Sequence, residues 1–134
     1  MQVYSLENFL LAKDKCSYIR SLKEICLTNK YMWNELSSVD LDKSFICEFA
    51  NYLNWPKLLS KHTFDEKELN YYKKYYEKES LALFSLAQNQ TFTYDFFMKN
   101  FNLLDNYLGI ILYFNVNITD GEKIKMQKTR KLIE

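Results

Sequence analysis

Glycine and proline are scarce in this sequence, which has two glycines and one proline in 134 residues. A loop that cradles phosphate needs several closely spaced glycines, so P-loop and Rossmann nucleotide chemistry is excluded. Few turn-forming residues also favour helices over a sandwich of many short strands. We therefore expect a mainly α-helical protein.

A strong net charge is also missing. Eighteen Lys and Arg residues oppose 17 Asp and Glu residues, which leaves a net charge of +1. Any contact with nucleic acid would therefore have to be local. The longest apolar run covers residues 108–114, far short of the roughly 20 residues that cross a bilayer. Because the N-terminus also lacks the pattern of a secretory signal, we expect a cytoplasmic protein without membrane contact.

Motifs for catalysis and metal binding are likewise absent from the sequence. The three cysteines form no Cys-x-x-Cys pair, and His62 is the only histidine, so neither a disulfide framework nor a zinc site is predicted. Neither Gly-x-Ser-x-Gly nor His-Glu-x-x-His occurs. We expect no enzyme, no cofactor and no metal. The remaining catalytic alternative is a metal-dependent hydrolase or nuclease that uses scattered carboxylates.

The length suits one domain, and no Gly/Ser/Pro linker divides it. We predict a compact bundle of six to eight short helices with a C-terminal β-hairpin. N-terminal helices occupy residues 1–30, three helix-turn-helix repeat units follow in 31–105, and an apolar segment, the hairpin and a basic tail fill 106–134.

The repeat units are indicated by a helix start that occurs three times. In each, an apolar residue precedes a capping side chain, and another apolar residue follows four positions after the cap. The caps are Asp42, Asp65 and Thr93, and Glu68 completes a capping-box pattern with Asp65. The same spacing around Ser5 predicts a first helix near the N-terminus. A second N-terminal helix is indicated by an apolar stripe: Tyr18, Ile19, Leu22, Ile25 and Cys26.

A short segment with its own apolar spacing precedes each of the three starts. In each segment the first and fourth residues are apolar and would share one helical face. The three pairs are Trp33 with Leu36, Trp55 with Leu58, and Leu81 with Phe84. Pro56 suits the first turn of its helix, where its missing N–H costs nothing.

The first unit carries the most specific pattern. It reads Trp33-Asn34-Glu35-Leu36-Ser37 and then Leu41-Asp42-Lys43-Ser44-Phe45-Ile46-Cys47-Glu48-Phe49. This order, Trp-x-x-Leu-Ser and then a capped Phe-Ile-x-x-Phe helix, resembles tandem helical repeats of phage and large-DNA-virus proteins. The second unit has Leu59 at the serine position, and the third begins with Leu81 instead of tryptophan. The resemblance implies a viral origin and an all-helical scaffold, and it brings no catalytic motif.

The C-terminal segment alternates apolar and polar residues on both sides of Thr119-Asp120-Gly121. Alternation around a turn is typical of a β-hairpin, with Gly121 in the left-handed position and Val116 facing Ile124. The alternative is a fourth helical unit capped by Thr119 and Glu122. We prefer the hairpin because a helix would put Ile124 and Met126 on nearly opposite sides.

Two groups of residues are predicted to bind a partner. The first is a run in which four tyrosines would share one arc of a helix: Tyr71, Tyr72, Lys73, Lys74, Tyr75 and Tyr76. Tyrosine is enriched at protein interfaces and can stack on unpaired bases, but an ordinary core face is the competing interpretation. The second is the basic part of the tail: Lys123, Lys125, Lys128, Arg130 and Lys131. It would touch phosphate or an acidic protein patch, and its competing interpretation is a solvated face.

These features favour a non-catalytic phage or viral accessory protein. It would bind and inhibit a host protein, such as a CRISPR-Cas or other defence effector, in the manner of anti-CRISPR inhibitors. Such an inhibitor needs only a complementary surface. The alternative is a small nucleic-acid-binding protein that uses the Tyr/Lys run and the basic tail.

Overall fold

A computed structural model describes residues 3–22 and 29–133 of the chain, with side chains as far as residue 129. The described residues form α-helices joined by short turns and contain no β-strand. The helices are α1 (Leu6–Leu11), α2 (Lys15–Ser21), α3 (Lys30–Leu36), α4 (Lys43–Glu48), α5 (Trp55–Lys61), α6 (Glu66–Tyr71), α7 (Lys73–Tyr76), α8 (Ser80–Asn89), α9 (Tyr94–Lys99), α10 (Phe101–Leu104), α11 (Leu108–Phe114) and α12 (Asp120–Ile133). The prediction of a mainly helical protein is confirmed.

The described residues form twelve helices rather than the expected six to eight, because two predicted helices are interrupted and because α11 and α12 occupy the segment predicted as an apolar stretch and a hairpin. Tyr72, with φ −89° and ψ 1°, separates α6 from α7. Asn100, with φ −114° and ψ 26°, separates α9 from α10. The two N-terminal helices are present as α1 and α2. The extension of the second stripe to Ile25 and Cys26 lies outside the described residues.

The predicted helix starts are confirmed in detail. The side chains of Asp42, Asp65 and Thr93 each accept a hydrogen bond from the backbone N–H three residues later, at 2.8, 2.8 and 3.3 Å. Asp65 and Glu68 form the full capping box. These contacts satisfy backbone donors that the first turn of a helix leaves unpaired. Pro56 lies in the first turn of α5, as expected.

Helices α5, α8 and α11 lie side by side and point the same way. Both neighbours pack against α8, and Tyr107, just before α11, donates a hydrogen bond to the carbonyl of Ser80 at the start of α8. At the other end, the Gln90 side chain after α8 reaches the residues that end α5. The three helices therefore begin at one edge of the molecule and end at the opposite edge.

The buried Gln90 side chain joins the ends of α5 and α8. Its Nε2 donates to the carbonyls of Leu59 and His62, both at 2.6 Å, and its Oε1 accepts from the Phe64 N–H at 2.9 Å. Backbone groups buried in a turn need such partners. One carboxamide therefore holds the turn after α5 against the end of α8.

The predicted C-terminal β-hairpin is wrong, because residues 120–133 form α12. The Thr119 hydroxyl accepts from the Glu122 N–H at 3.2 Å, and the Glu122 carboxylate accepts from the Thr119 N–H at 3.0 Å. Gly121 lies inside the helix and has no positive φ. Met126 is fully buried while Ile124 is 52% exposed. A helix places these two side chains on nearly opposite sides, and this is the arrangement found, with Met126 in the core and Ile124 facing solvent.

The apolar face predicted for the third unit is also wrong in register. Leu81 and Phe84 are exposed, whereas the buried apolar side chains of α8 are Ala82, Leu83, Leu86 and Ala87. In the two earlier units the predicted pairs are buried as expected. Leu83 and Leu86 lie 28 residues after Trp55 and Leu58, the same spacing that separates the caps Asp65 and Thr93. Between the second and third units, the cap spacing and not the apolar spacing alone gives the correct register.

The helical C-terminus predicts opposite responses at Ile124 and Met126. Met126→Ala should lower the free energy of unfolding by about 2–5 kcal/mol, the usual cost of truncating a fully buried side chain. Ile124→Ala should change it by no more than about 0.5 kcal/mol, as at exposed sites. Urea unfolding followed by circular dichroism measures both. Equal losses in the two variants would instead favour a ribbon with both side chains on one buried face.

Candidate functional site

The tyrosine run does not present one continuous face. Tyr72 and Tyr76 are buried, and the Tyr76 hydroxyl donates to the Leu69 carbonyl at 2.7 Å. Tyr75 is half-buried and stacks on Trp55, with ring centroids 5.9 Å apart and planes 8° apart. For Tyr72 and Tyr76 the packing interpretation therefore describes the structure. The break at Tyr72 turns Tyr71 out of the arc and leaves it exposed.

The exposed remainder of the run is small. The Lys74 ammonium lies 5.5 Å from the Tyr71 ring centroid and 5.2 Å from the Tyr75 ring centroid, within cation–π range. The Tyr71 hydroxyl lies 3.8 Å from the Cys47 sulfur on α4. Lys73 lines a separate cavity of about 360 Å³ that also contains Glu77 and Lys99. Partner binding by Tyr71 and Lys74 stays a prediction.

The basic residues of the predicted tail lie on α12 rather than on a hairpin and a free end. Lys125 and Lys128 are exposed and, three residues apart, share a helix face, whereas Lys123 is half-buried. The side chains of Arg130 and Lys131 lie outside the described residues. The two predicted groups thus belong to separate helices, α6–α7 and α12.

A different surface emerges when the ends of α5, α8 and α11 are compared. The C-caps of these helices are His62, Gln90 and Asn115. In each, the backbone is extended and its N–H donates to the carbonyl four residues earlier. Gln90 and Asn115 are both buried. The three ends are therefore equivalent, and residues counted from each C-cap can be compared directly.

We call each of these helices, together with the turn that follows it, a unit named after the helix. In all three units, three positions around the C-cap are exposed, namely the two residues before the cap and the one after it. In the α5 unit they are Ser60, Lys61 and Thr63, in the α8 unit Gln88, Asn89 and Thr91, and in the α11 unit Tyr113, Phe114 and Val116. In the α5 and α8 units all three positions carry polar residues. Only the α11 unit fills them with apolar side chains.

We call Tyr113, Phe114 and Val116 the α11 surface. These side chains are 82%, 46% and 85% exposed, and the two rings meet edge to face with centroids 4.8 Å apart. Sequence reasoning missed them because it placed Phe114 and Val116 in the hairpin. Alignment of His62-Thr63-Phe64-Asp65 with Gln90-Thr91-Phe92-Thr93 would have revealed the repeating positions.

Comparison with known proteins gives no relative. No family model matches the chain, and no curated protein and no solved structure resembles it significantly. Within the described ranges, no three His, Cys, Asp or Glu residues are arranged to hold a metal ion. The helices that the structure describes include none with the length and apolarity to cross a bilayer.

The buried tyrosines predict a loss of stability at alkaline pH. Burial raises the pKa of Tyr72 from 10.0 to about 12, and burial also raises the pKa of Tyr76. The unfolded chain releases these protons first, so the stability that Tyr72 contributes is complete below pH 10 and lost as the pH rises to about 12. Urea unfolding across this range should show the decrease, and Tyr72→Phe should reduce it. An identical decrease in Tyr72→Phe would contradict the assignment.

Proposed function

We propose that this protein acts without catalysis, by binding a protein partner through the α11 surface. The observation that carries the proposal is the replacement of polar by apolar residues at three exposed positions that the fold does not require to be apolar. Contiguous exposed apolar side chains are costly in water and are typical of interaction sites.

The composition of the α11 surface suits the centre of a protein interface. Tyr and Phe supply large, rigid contact areas and are enriched at interface cores. At ~25 cal/mol per Å², burial of about 300 Å² of apolar area contributes on the order of 7 kcal/mol, before the cost of association. A contact of this kind anchors a larger interface whose rim is polar.

The charges beside the α11 surface favour a protein partner over nucleic acid. Asp120 is exposed at the start of α12, only four residues after Val116. A carboxylate there opposes phosphate, whereas a protein partner can present either charge. The basic face of Lys125 and Lys128 lies further along the same helix. Nucleic-acid binding remains the alternative function, and it predicts a steep decrease of affinity with salt.

The specific form that we propose is a viral accessory protein that inhibits a host protein, such as a defence effector, in the host cytoplasm. The support for this form is the resemblance of the first unit to viral helical repeats, together with a surface that can occlude an enzyme without chemistry of its own. Inhibition requires only that the covered region of the effector be needed for its activity.

Site-specific photocrosslinking tests the proposal against a control from the same chain. A photoreactive phenylalanine analogue at Tyr113 should give a discrete protein adduct in cells of the natural host. The same analogue at Gln88, the equivalent position in the α8 unit, should give none. Nuclease treatment should leave the adduct intact, and high salt during irradiation should change its yield little.

Two results would reject this proposal. Adducts of equal yield at both positions would mean that the α11 surface is not special. An adduct at Tyr113 that nuclease removes would establish the nucleic-acid alternative instead.

A further inference from the structure

An open groove lies at the opposite edge of the molecule, where α5 and α8 begin. It has a volume of about 630 Å³ and is bounded by α3, the turn between α4 and α5, and the start of α8. From the groove and the side chains in it, we propose that this edge binds an extended peptide segment of a protein. The site is separate from the α11 surface, at which the same helices end.

The apolar part of the groove is a fixed aromatic floor with an open wall. Tyr52 stacks on the buried Trp33, with centroids 5.3 Å apart and planes 19° apart, and Tyr52 is itself 40% exposed. Leu81, on the wall, is 73% exposed. This is the misassigned residue of the third unit, and its outward position gives the groove an aliphatic contact. Such a floor and wall accept one or two apolar side chains of a ligand.

Three carboxamides provide the polar part. Asn54 Nδ2 donates to Asn34 Oδ1 at 2.7 Å, and Asn54 Oδ1 caps α5 by accepting from the Lys57 N–H at 3.2 Å. These bonds hold the side-chain amides of Asn34 and Asn54 in place. The Nδ2 group of Asn34 donates to no acceptor among the described residues. Asn51 is exposed in the same groove. A carboxamide carries both a donor and an acceptor, as a peptide unit does, so it can pair with a peptide backbone through two hydrogen bonds.

The charges in the groove distinguish a peptide from a polyanion. Among the described residues, Lys30 and Glu79 line it and are exposed, and the Lys57 ammonium lies beside it, 3.5 Å from the Asn34 carbonyl oxygen. A nucleic-acid strand would meet Glu79 at close range, whereas a peptide can present acidic and basic side chains to these groups. Carboxamides, stacked rings and charges of both signs together favour a mixed-sequence peptide as the occupant.

A library of random dodecapeptides displayed on phage, selected against the immobilised full-length chain, tests this proposal. Enriched peptides should contain an apolar residue together with charged residues. In fluorescence anisotropy, Asn51→Ala and Leu81→Ser should each weaken their binding at least tenfold, the effect of about 1.4 kcal/mol. Glu79→Lys should weaken the binding of peptides that carry a basic residue and leave the binding of peptides without one unchanged.

The control is the triple variant Y113Q/F114N/V116T, which alters only the opposite edge and should bind the peptides like the original chain. Circular dichroism verifies that each variant is folded. The proposal is overturned if no peptide is enriched, if the enriched peptides bind the Asn51 and Leu81 variants unchanged, or if an oligothymidine of similar length displaces them. The photocrosslinking result at Tyr113 does not depend on any of these outcomes.

Discussion

Every turn between helices in this protein has to satisfy buried backbone groups almost without glycine. No described residue has a positive φ, so none of the described helices ends with the left-handed cap that glycine often provides. Asp65, Thr93 and Thr119 cap the helices that follow the turns, and Gln90 bonds to three backbone groups of the neighbouring turn. The Gln90 bonds join the ends of α5 and α8, and the hydrogen bond from Tyr107 to Ser80 joins the starts of α8 and α11.

This constraint separates residues that the fold requires from residues that it leaves free. At the common end, the capping positions carry polar side chains and the first buried position after the C-cap carries Phe64, Phe92 or Ile118. Three exposed positions vary from Ser60, Lys61 and Thr63 to the aromatic and aliphatic residues of the α11 surface. At the common start, exposed Leu81 faces a groove beside Asn51. Both candidate sites therefore include apolar side chains that packing does not explain, and we propose both as surfaces for another molecule.

The sequence was sufficient for features governed by local chemistry. The caps at Asp42, Asp65 and Thr93 follow from hydrogen bonding within one turn of helix, and they were predicted correctly. The C-terminus was not, because alternation suits a hairpin and the tertiary burial of Met126 without Ile124 decides against it. The division of the tyrosine run was not predictable in the same way, because the helix breaks at Tyr72, whose ring contacts Trp55 and Phe64 from other parts of the chain. The α11 surface was recognisable only once equivalent helix ends were known.

The proposed binding role requires that Tyr113, Phe114 and Val116 contribute little that the fold needs. The direct measurement is the free energy of unfolding of the variant in which they are replaced by the residues of the α8 unit, Gln, Asn and Thr. We expect a value within about 1.5 kcal/mol of the original chain, since each exposed substitution usually changes it by about 0.5 kcal/mol or less. A loss of about 2 kcal/mol or more would show that these side chains are packed in the folded protein, and would contradict their assignment as a binding surface.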